Sequence, residues 1–429
     1  MPLAYHLLLR AATNENVTAD TEENTTSNQP QWNSTPAWKL PGWVEPVVVV
    51  AILLTAMYTT RYQGYSIFSK RQPTSKTSLI ASDDDNSRPS SSSHLLPENI
   101  SDSEADYDDE LLTTKNPPKK RRVCGSTFLT PNTARFRNNW HSRVLQRFPF
   151  LIEMFYWVIN YAFYRLTAVL SQWLFGGSGI WQASQEHGIA VLEFEESGFL
   201  SFLFPVREHN VQEWFMNGHQ GWLSALNKTY ALIHIPGTVG FIAWYYHSAP
   251  THPTFATIRR TLTLTNFLAF LTFILYPCMP PRLLPPHYGF LDTVRHDDAT
   301  SVWMKGKFVN SLAAMPSMHF GYAFCIGLTL LYHSQVLRLQ RLERGEVRKS
   351  WFWRAWFVML GLLYPALILV TIVATANHYF LDALVASAYV VVAFMANRVF
   401  YVFLPLEDWL LWALRAEKPV PSTGRRFGR

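Results

Sequence analysis

The fold is decided by residues 354–403, which read RAWFVMLGLLYPALILVTIVATANHYFLDALVASAYVVVAFMANRVFYVF. This stretch contains two apolar runs, 354–376 and 381–403, separated by only four residues. About 20 predominantly apolar residues in a helix span a lipid bilayer, so each run has the length of a transmembrane helix. The stretch therefore predicts two membrane helices joined by a very short turn.

Five further apolar runs of similar length lie earlier in the chain, at 43–60, 149–174, 230–247, 261–277 and 317–333. Only 16% of the 429 residues are charged, against about 25% in an average soluble protein. We therefore expect an all-α, polytopic membrane bundle with about seven transmembrane helices. The three cysteines are too few and too scattered for a disulfide framework or a cysteine-based zinc site.

The segments outside these runs differ in composition. The N-terminal tail has three Asn-x-Ser/Thr sequons, at Asn16, Asn24 and Asn33, which favour a luminal tail. Residues 62–147 are rich in serine and in blocks of like charge, which is typical of disorder. The predicted organisation is a luminal tail (1–42), an anchor helix (43–61), a disordered cytosolic linker (62–147), a membrane domain (148–403) and a cytosolic basic tail (404–429).

The basic residues support one orientation in the membrane. With a luminal N-terminus, the connections 248–260 and 334–353 and the C-terminal tail fall on the cytosolic side, and all three carry an excess of Arg and Lys. This agrees with the positive-inside rule for a luminal N-terminus and a cytosolic C-terminus. We expect an integral membrane protein of the secretory pathway, in the Golgi or the endoplasmic reticulum. The net charge of +6 lies beside apolar segments, which favours a bilayer and not a nucleic acid as partner. No partner of the linker is indicated.

Three polar clusters fall together on the predicted luminal face. They are Arg282 after the fourth apolar run, Ser317 with His319 at the start of the fifth, and His378 with Asp382 in the turn before the seventh. Ionisable groups at the ends of membrane helices are costly to bury unless they are paired or used, so these clusters indicate a functional site.

The chemistry of the clusters is that of phosphoryl transfer. Asp382, four residues after His378, can accept a hydrogen bond from one imidazole nitrogen and leave the other free to attack. His319 can protonate a departing oxygen, and Arg282 offers a positive fork for phosphoryl oxygens. Pro316 suits the first turn of a helix, where free N–H groups and the Ser317 hydroxyl would bind a phosphate. We expect neither a metal nor another cofactor, although two histidines with Asp382 leave a metal site as a less favoured alternative.

At these residues the sequence resembles the type 2 phosphatidic acid phosphatase superfamily, and within it the inositolphosphotransferase branch that includes inositol phosphorylceramide synthase. Met-Pro-Ser-Met-His319 is similar to its Pro-Ser-x-His signature, and His378-Tyr-Phe-Leu-Asp382 is similar to its His-x-x-x-Asp signature. The resemblance covers about residues 190–403. It implies a phosphohistidine on His378, a ring oriented by Asp382, protonation by His319, and phosphate binding by Ser317 and Arg282.

The sequence departs from the phosphatase branch at two cationic positions. Leu275 occupies the lysine position of the first signature, and Ile372 occupies the arginine position of the third. Arg295 and Lys305, both in the predicted luminal loop 278–316, are the candidates to replace a missing cation, although no spacing fixes either. These departures favour a lipid phosphotransferase over the alternative, a lipid phosphate phosphatase. A second alternative is a non-catalytic membrane scaffold or receptor.

Overall fold

Helices dominate the computed structural model of this protein, which describes residues 41–63, 66–68, 117–123, 125–175, 179–196, 205–296, 312–338, 342 and 346–424. The α-helices are α1 (Val44–Thr59), α2 (Trp140–Arg147), α3 (Phe150–Phe175), α4 (Ile180–Glu196), α5 (Glu208–Met216), α6 (Gln220–Ser248), α7 (His252–Leu275), α8 (Thr293–His296), α9 (Met318–His333), α10 (Trp351–Ala374), α11 (Phe380–Ala396) and α12 (Leu404–Ala413). Short 3₁₀ helices cover Thr133–Phe136, Pro281–Leu283, Pro286–Tyr288 and Asn397–Phe403.

Each of the seven predicted apolar runs contains a helix, but the helices differ in length and hydropathy. Three described segments are long and apolar enough to cross a membrane: His252–Leu275, Trp351–Ala374 and Phe380–Ala413. The helix Val44–Thr59 is apolar but shorter. The prediction of a mostly helical membrane protein is therefore confirmed, and the number of seven spans stays a prediction.

A pair of glycines allows α9 and α10 to pack closely. A Cβ atom added to Gly327 on α9 would lie 2.6 Å from the carbonyl oxygen of Gly361 on α10, and one added to Gly361 would lie 2.9 Å from that of Gly327. Small residues at helix crossings let backbones approach in membrane proteins. This crossing holds α9 against α10. His319 lies at the start of α9, and His378 follows the end of α10.

A short hairpin replaces part of the predicted disordered linker. Strand β1 (Lys119–Val123) pairs antiparallel with β2 (Ser126–Thr130), and α2 follows. The prediction of disorder is therefore wrong for residues 117–123 and 125–147, and the fold is not strictly all-α. Residues 69–116 of the linker, like the luminal tail 1–40 with its three sequons, lie outside the described residues.

The hairpin is held by a buried carboxylate from the other end of the chain. Asp408 on α12 accepts hydrogen bonds from Arg121 Nε at 2.9 Å and Thr130 Oγ1 at 2.8 Å, and Lys119 Nζ lies 3.8 Å away. Asp408 is only 1% exposed. Two of the four basic residues at 119–122 thus pair with a distant carboxylate, which a local composition argument does not detect.

We expect Arg121→Ala to loosen this hairpin. The variant removes a charged hydrogen bond to a buried carboxylate and should cost about 2 kcal/mol of stability. Thermal unfolding, together with limited proteolysis within 117–130, measures the effect. Arg122→Ala, on the exposed face of the same strand, is the matched control. Equal losses in the two variants would contradict the role given to Asp408.

The predicted basic tail also proves to be ordered over most of its length. Residues 404–413 form α12, and the following backbone returns to α2. The Asn139 side chain donates to the Arg415 carbonyl at 2.8 Å, and the Gln146 side chain donates to the Lys418 carbonyl at 3.1 Å. The tail therefore packs against the segment that precedes the membrane domain, and residues 425–429 lie outside the described residues.

Candidate active site

The turn between α10 and α11 places His378 just before the start of α11. The sequence spacing predicted instead that His378 and Asp382 lie on one helical turn. Ala376 adopts a φ of 51°, and the N–H groups of Asn377 and His378 both donate to the Ile372 carbonyl. Tyr379 is then the N-cap of α11, and its N–H donates to Asp382 Oδ2 at 3.0 Å. The turn thus brings the Asp382 carboxylate back toward His378.

The hydrogen bonds of His378 define its tautomer. Its Nδ1 lies 2.7 Å from the Ala314 carbonyl oxygen and 3.2 Å from Asp382 Oδ2. Both partners are acceptors, so Nδ1 carries the proton and Nε2 of the neutral ring has a free lone pair. Nε2 is buried and has no hydrogen-bond partner among the described residues. This is the state that a nucleophilic imidazole requires.

The Ala314 carbonyl is a partner of His378 that sequence reasoning missed. A short bridge holds its backbone, because Ala314 N–H donates to the Cys278 carbonyl at 3.1 Å and Cys278 N–H donates to that of Leu312 at 2.8 Å. The Cys278 side chain is fully buried, and this burial raises the pKa of its thiol, which therefore stays neutral. A backbone acceptor has no side-chain signature, so only the fold reveals it.

His319 lies in the first turn of α9, close to His378. The two ring centroids are 6.0 Å apart, and His319 Nε2 is buried with no partner in the described part of the chain. The ring of Tyr230 on α6 stacks on the ring of His319, with their centroids 4.1 Å apart. The ring centroid of His234 lies 4.3 Å from that of His319. The sequence patterns that located His319 did not single out Tyr230.

Ser317 is the N-cap of α9 and is completely buried. Its hydroxyl oxygen accepts from the Phe320 N–H at 3.3 Å, and its own N–H donates to the Asp382 carbonyl at 3.2 Å. Pro316 lies before the cap and not inside the first turn, which corrects the sequence-based placement. Ser317 therefore joins the starts of α9 and α11, and its hydroxyl proton stays available to an acceptor.

Arg282 reaches the same turn from the segment after α7. Its Nε donates to Asn377 Oδ1 at 2.9 Å, and Nη1 donates to Asp292 Oδ2 at 2.8 Å. Its backbone N–H donates to the Ala376 carbonyl at 2.9 Å. The guanidinium is thus fixed beside the residue that precedes His378. Neither Asn377 nor Asp292 was predicted, because they lie 95 and 10 residues from Arg282 and no motif links either of them to it.

A comparison with known families agrees with this geometry. Residues 191–342 and 347–396 match the family model of the PAP2 superfamily. The match supports membership of that superfamily. The matched segments contain all five predicted site residues: Arg282, Ser317, His319, His378 and Asp382. No curated protein and no solved structure matches the chain.

The PAP2 match also supports an enzyme at a coarse level, because members of the superfamily are phosphatases or phosphotransferases. The two missing cationic positions can now be located. Leu275 is 67% exposed at the end of α7, whereas Ile372 is fully buried in an apolar cluster. Lys305 and the side chain of Arg295 lie outside the described residues.

Two further features of the PAP2 region bear on ligands and modification. Among the described residues, no group of three or more His, Cys, Asp or Glu side chains is arranged to hold a metal ion. Asn227, in a fourth sequon, is fully buried, and its side chain donates to the Thr293 carbonyl at 3.3 Å. Burial makes this asparagine inaccessible to glycosylation in the folded protein.

Proposed function

We propose that this protein is an integral membrane phosphotransferase that acts on lipids through a phosphohistidine intermediate at His378. The observation that carries the proposal is the hydrogen bonding of His378, whose Nδ1–H faces two acceptors while its buried Nε2 keeps a free lone pair. The PAP2 match independently supports phosphatase or phosphotransferase chemistry. We further propose that the site faces the lumen of a Golgi or endoplasmic reticulum membrane.

The first step forms a bond between His378 Nε2 and the phosphorus of a lipid donor. The bond from phosphorus to the leaving alcohol oxygen breaks, and protonated His319 gives that oxygen its proton. The hydrogen bond to Asp382 stabilises the positive charge that develops on the attacking ring. In the second step an acceptor hydroxyl attacks phosphorus, breaks the P–N bond and returns its proton to His319.

Arg282 is proposed to stabilise the charge on the transferring phosphoryl oxygens. Its Nε and Nη1 are engaged by Asn377 and Asp292, which hold the guanidinium plane in place. A guanidinium has five N–H donors in a fixed fork, so a held plane still offers donors to a phosphate. Ser317 is proposed to donate its hydroxyl proton to the same group.

An inositol phosphate group and a ceramide-like acceptor are the favoured substrates. This choice rests on the resemblance of both signatures to the inositolphosphotransferase branch and on the apolar residues at the two missing cationic positions. A phosphatase uses water as the acceptor, whereas a transferase requires an alcohol. The identity of the acceptor, water or an alcohol, therefore distinguishes a phosphatase from a phosphotransferase.

The test uses purified protein in bilayers with labelled phosphatidylinositol, with and without ceramide. We expect label to reach ceramide in the wild type, and to be lost in His378→Ala and His319→Ala. His209→Ala is the matched control, because this histidine is 40% exposed and lies outside the site.

Each outcome assigns the chemistry. Label transfer that depends on acceptor supports the phosphotransferase. Phosphate release from a lipid phosphate without acceptor would move the assignment to a phosphatase. Folded wild-type protein that turns over neither substrate would contradict the enzymatic proposal and favour the scaffold.

A further inference from the structure

Two carboxyl groups bind the first backbone N–H groups of α11, directly after the proposed nucleophile. Phe380 N–H donates to Glu208 Oε1 at 3.1 Å, and Leu381 N–H donates to Glu195 Oε1. Glu195 is on α4 and Glu208 is on α5, so two separate elements converge on this helix start. Acidic groups at a helix N-terminus satisfy free N–H donors and complement the helix dipole.

Both carboxyl groups are buried, unlike their acidic neighbours. Glu195 is 3% exposed and Glu208 is 2% exposed. Glu193 and Glu196 on the same helix are exposed. Glu195 thus differs in burial from two acidic residues within two positions of it in the sequence. Charged groups are rarely this buried unless they are paired, so the position of Glu195 needs a cause.

Two adjacent buried carboxylates cannot both keep a full negative charge at neutral pH. Burial and the neighbouring Glu208 raise the pKa of Glu195 to about 10. Among the described residues, the other titratable groups facing the pair are Asp382 of α11 and the phenol of Tyr379, which in turn lies near the thiol of Cys278. Arg207 lies 3.9 Å from exposed Glu196. The local field is therefore acidic, which favours one proton on the pair.

We propose that Glu195 and Glu208 share one proton and act together as positioning residues for the turn that holds His378. The shared proton joins the two side chains, and one oxygen of each holds one N–H of α11. The start of α11 then fixes Tyr379 and Asp382, and through them the ring of His378. The expected effect on catalysis rests on the proposed function. The role of Glu195 and Glu208 in holding the start of α11 does not.

The proton state provides the test. Glutamine at 195 is an isostere of protonated glutamate, so Glu195→Gln keeps both an acceptor for Leu381 N–H and a donor to Glu208. We expect Glu195→Gln to keep activity near the wild-type level at pH 7. We expect Glu195→Ala and Glu208→Ala to lower kcat by about 100-fold with little change in KM, because a misplacement of about 1 Å costs this much. Glu193→Gln and Glu196→Gln are the matched controls.

A pH profile separates this role from simple packing. Loss of the shared proton leaves two negative charges beside Asp382, so wild-type kcat should fall as the pH approaches 10. In Glu195→Gln no such proton exists, and this alkaline limb should disappear. If Glu195→Gln keeps the wild-type fall in kcat at high pH, the proposal of a shared proton is refuted. This result does not depend on whether the alanine variants fold.

Two readouts do not depend on activity. Hydrogen exchange at the amides of Phe380 and Leu381 should accelerate in Glu195→Ala and Glu208→Ala and stay slow in Glu195→Gln. Folded protein holds the Glu195 proton between about pH 4.5 and 10 while unfolded chain has released it, so stability should fall with rising pH across this window. Glu195→Gln should flatten that dependence. Unchanged exchange in folded alanine variants would overturn the proposal, whereas an active His378→Ala would overturn only the proposed function.

Discussion

Replacing His378 with alanine is expected to lower kcat for lipid phosphate transfer by at least about 10⁴-fold, as for other enzymes that lose their nucleophile. The variant removes the only group proposed to form a bond to phosphorus. Initial rates with labelled donor lipid, at saturating acceptor, measure the effect.

His187→Ala serves as a second control for this variant. Its Nδ1 also contacts a backbone carbonyl, that of Pro277, at 2.8 Å, and its ring stacks on Tyr276. The residue therefore matches His378 in chemistry but has no proposed contact with the substrate. We expect a change of less than about threefold in kcat, because this half-buried histidine contacts no group that is proposed to bind the substrate. A His378→Ala variant that retains a tenth of wild-type kcat would refute covalent catalysis at this residue.

Asp382→Asn is expected to lower kcat by about 10²-fold, less than the roughly 10⁴-fold loss seen when an asparagine reverses the tautomer of a catalytic histidine. The difference arises from Ala314. Its carbonyl oxygen, at 2.7 Å, still requires a proton on Nδ1 after the carboxylate is gone. Nε2 therefore remains unprotonated, and the variant loses only the charge that stabilises the imidazolium.

The asparagine oxygen can still accept from the Tyr379 N–H, so the start of α11 should stay intact. Thermal unfolding checks this point and separates catalysis from folding. A loss in Asp382→Asn as large as in His378→Ala would show that the Ala314 carbonyl does not hold the tautomer. Full activity would remove Asp382 from the mechanism.

Much of the site could be predicted from sequence because its residues lie in short local patterns. The spacing of four between His378 and Asp382 predicts a contact through one turn, and the structure has Nδ1 and Oδ2 3.2 Å apart. The partners that were missed act across the fold. Asp292 and Asn377 hold Arg282, and the Ala314 backbone holds His378, and none of these contacts leaves a pattern in the local sequence.

For the fold as well, local sequence patterns predicted the structure, whereas contacts between distant residues could not be predicted. Hydropathy located a helix in every apolar run, because the burial of an apolar face or contact with lipid governs those segments. Composition did not predict the secondary structure at 117–123 and 125–147, because Arg121 and Lys119 of the basic block pair with Asp408, far along the chain. Composition also does not distinguish Glu193, Glu195 and Glu196 of α4, although Glu195 is the one of these three that is buried.

The contact between Arg121 and Asp408 has a consequence for biosynthesis. The two residues are 287 positions apart in the chain. At a translation rate of about 5–20 residues per second, roughly 15 to 60 s pass between the synthesis of the hairpin and that of its carboxylate. During this interval the nascent hairpin has no acidic anchor from α12. Its docking is therefore a late event of assembly, completed only after the last membrane helices have left the ribosome.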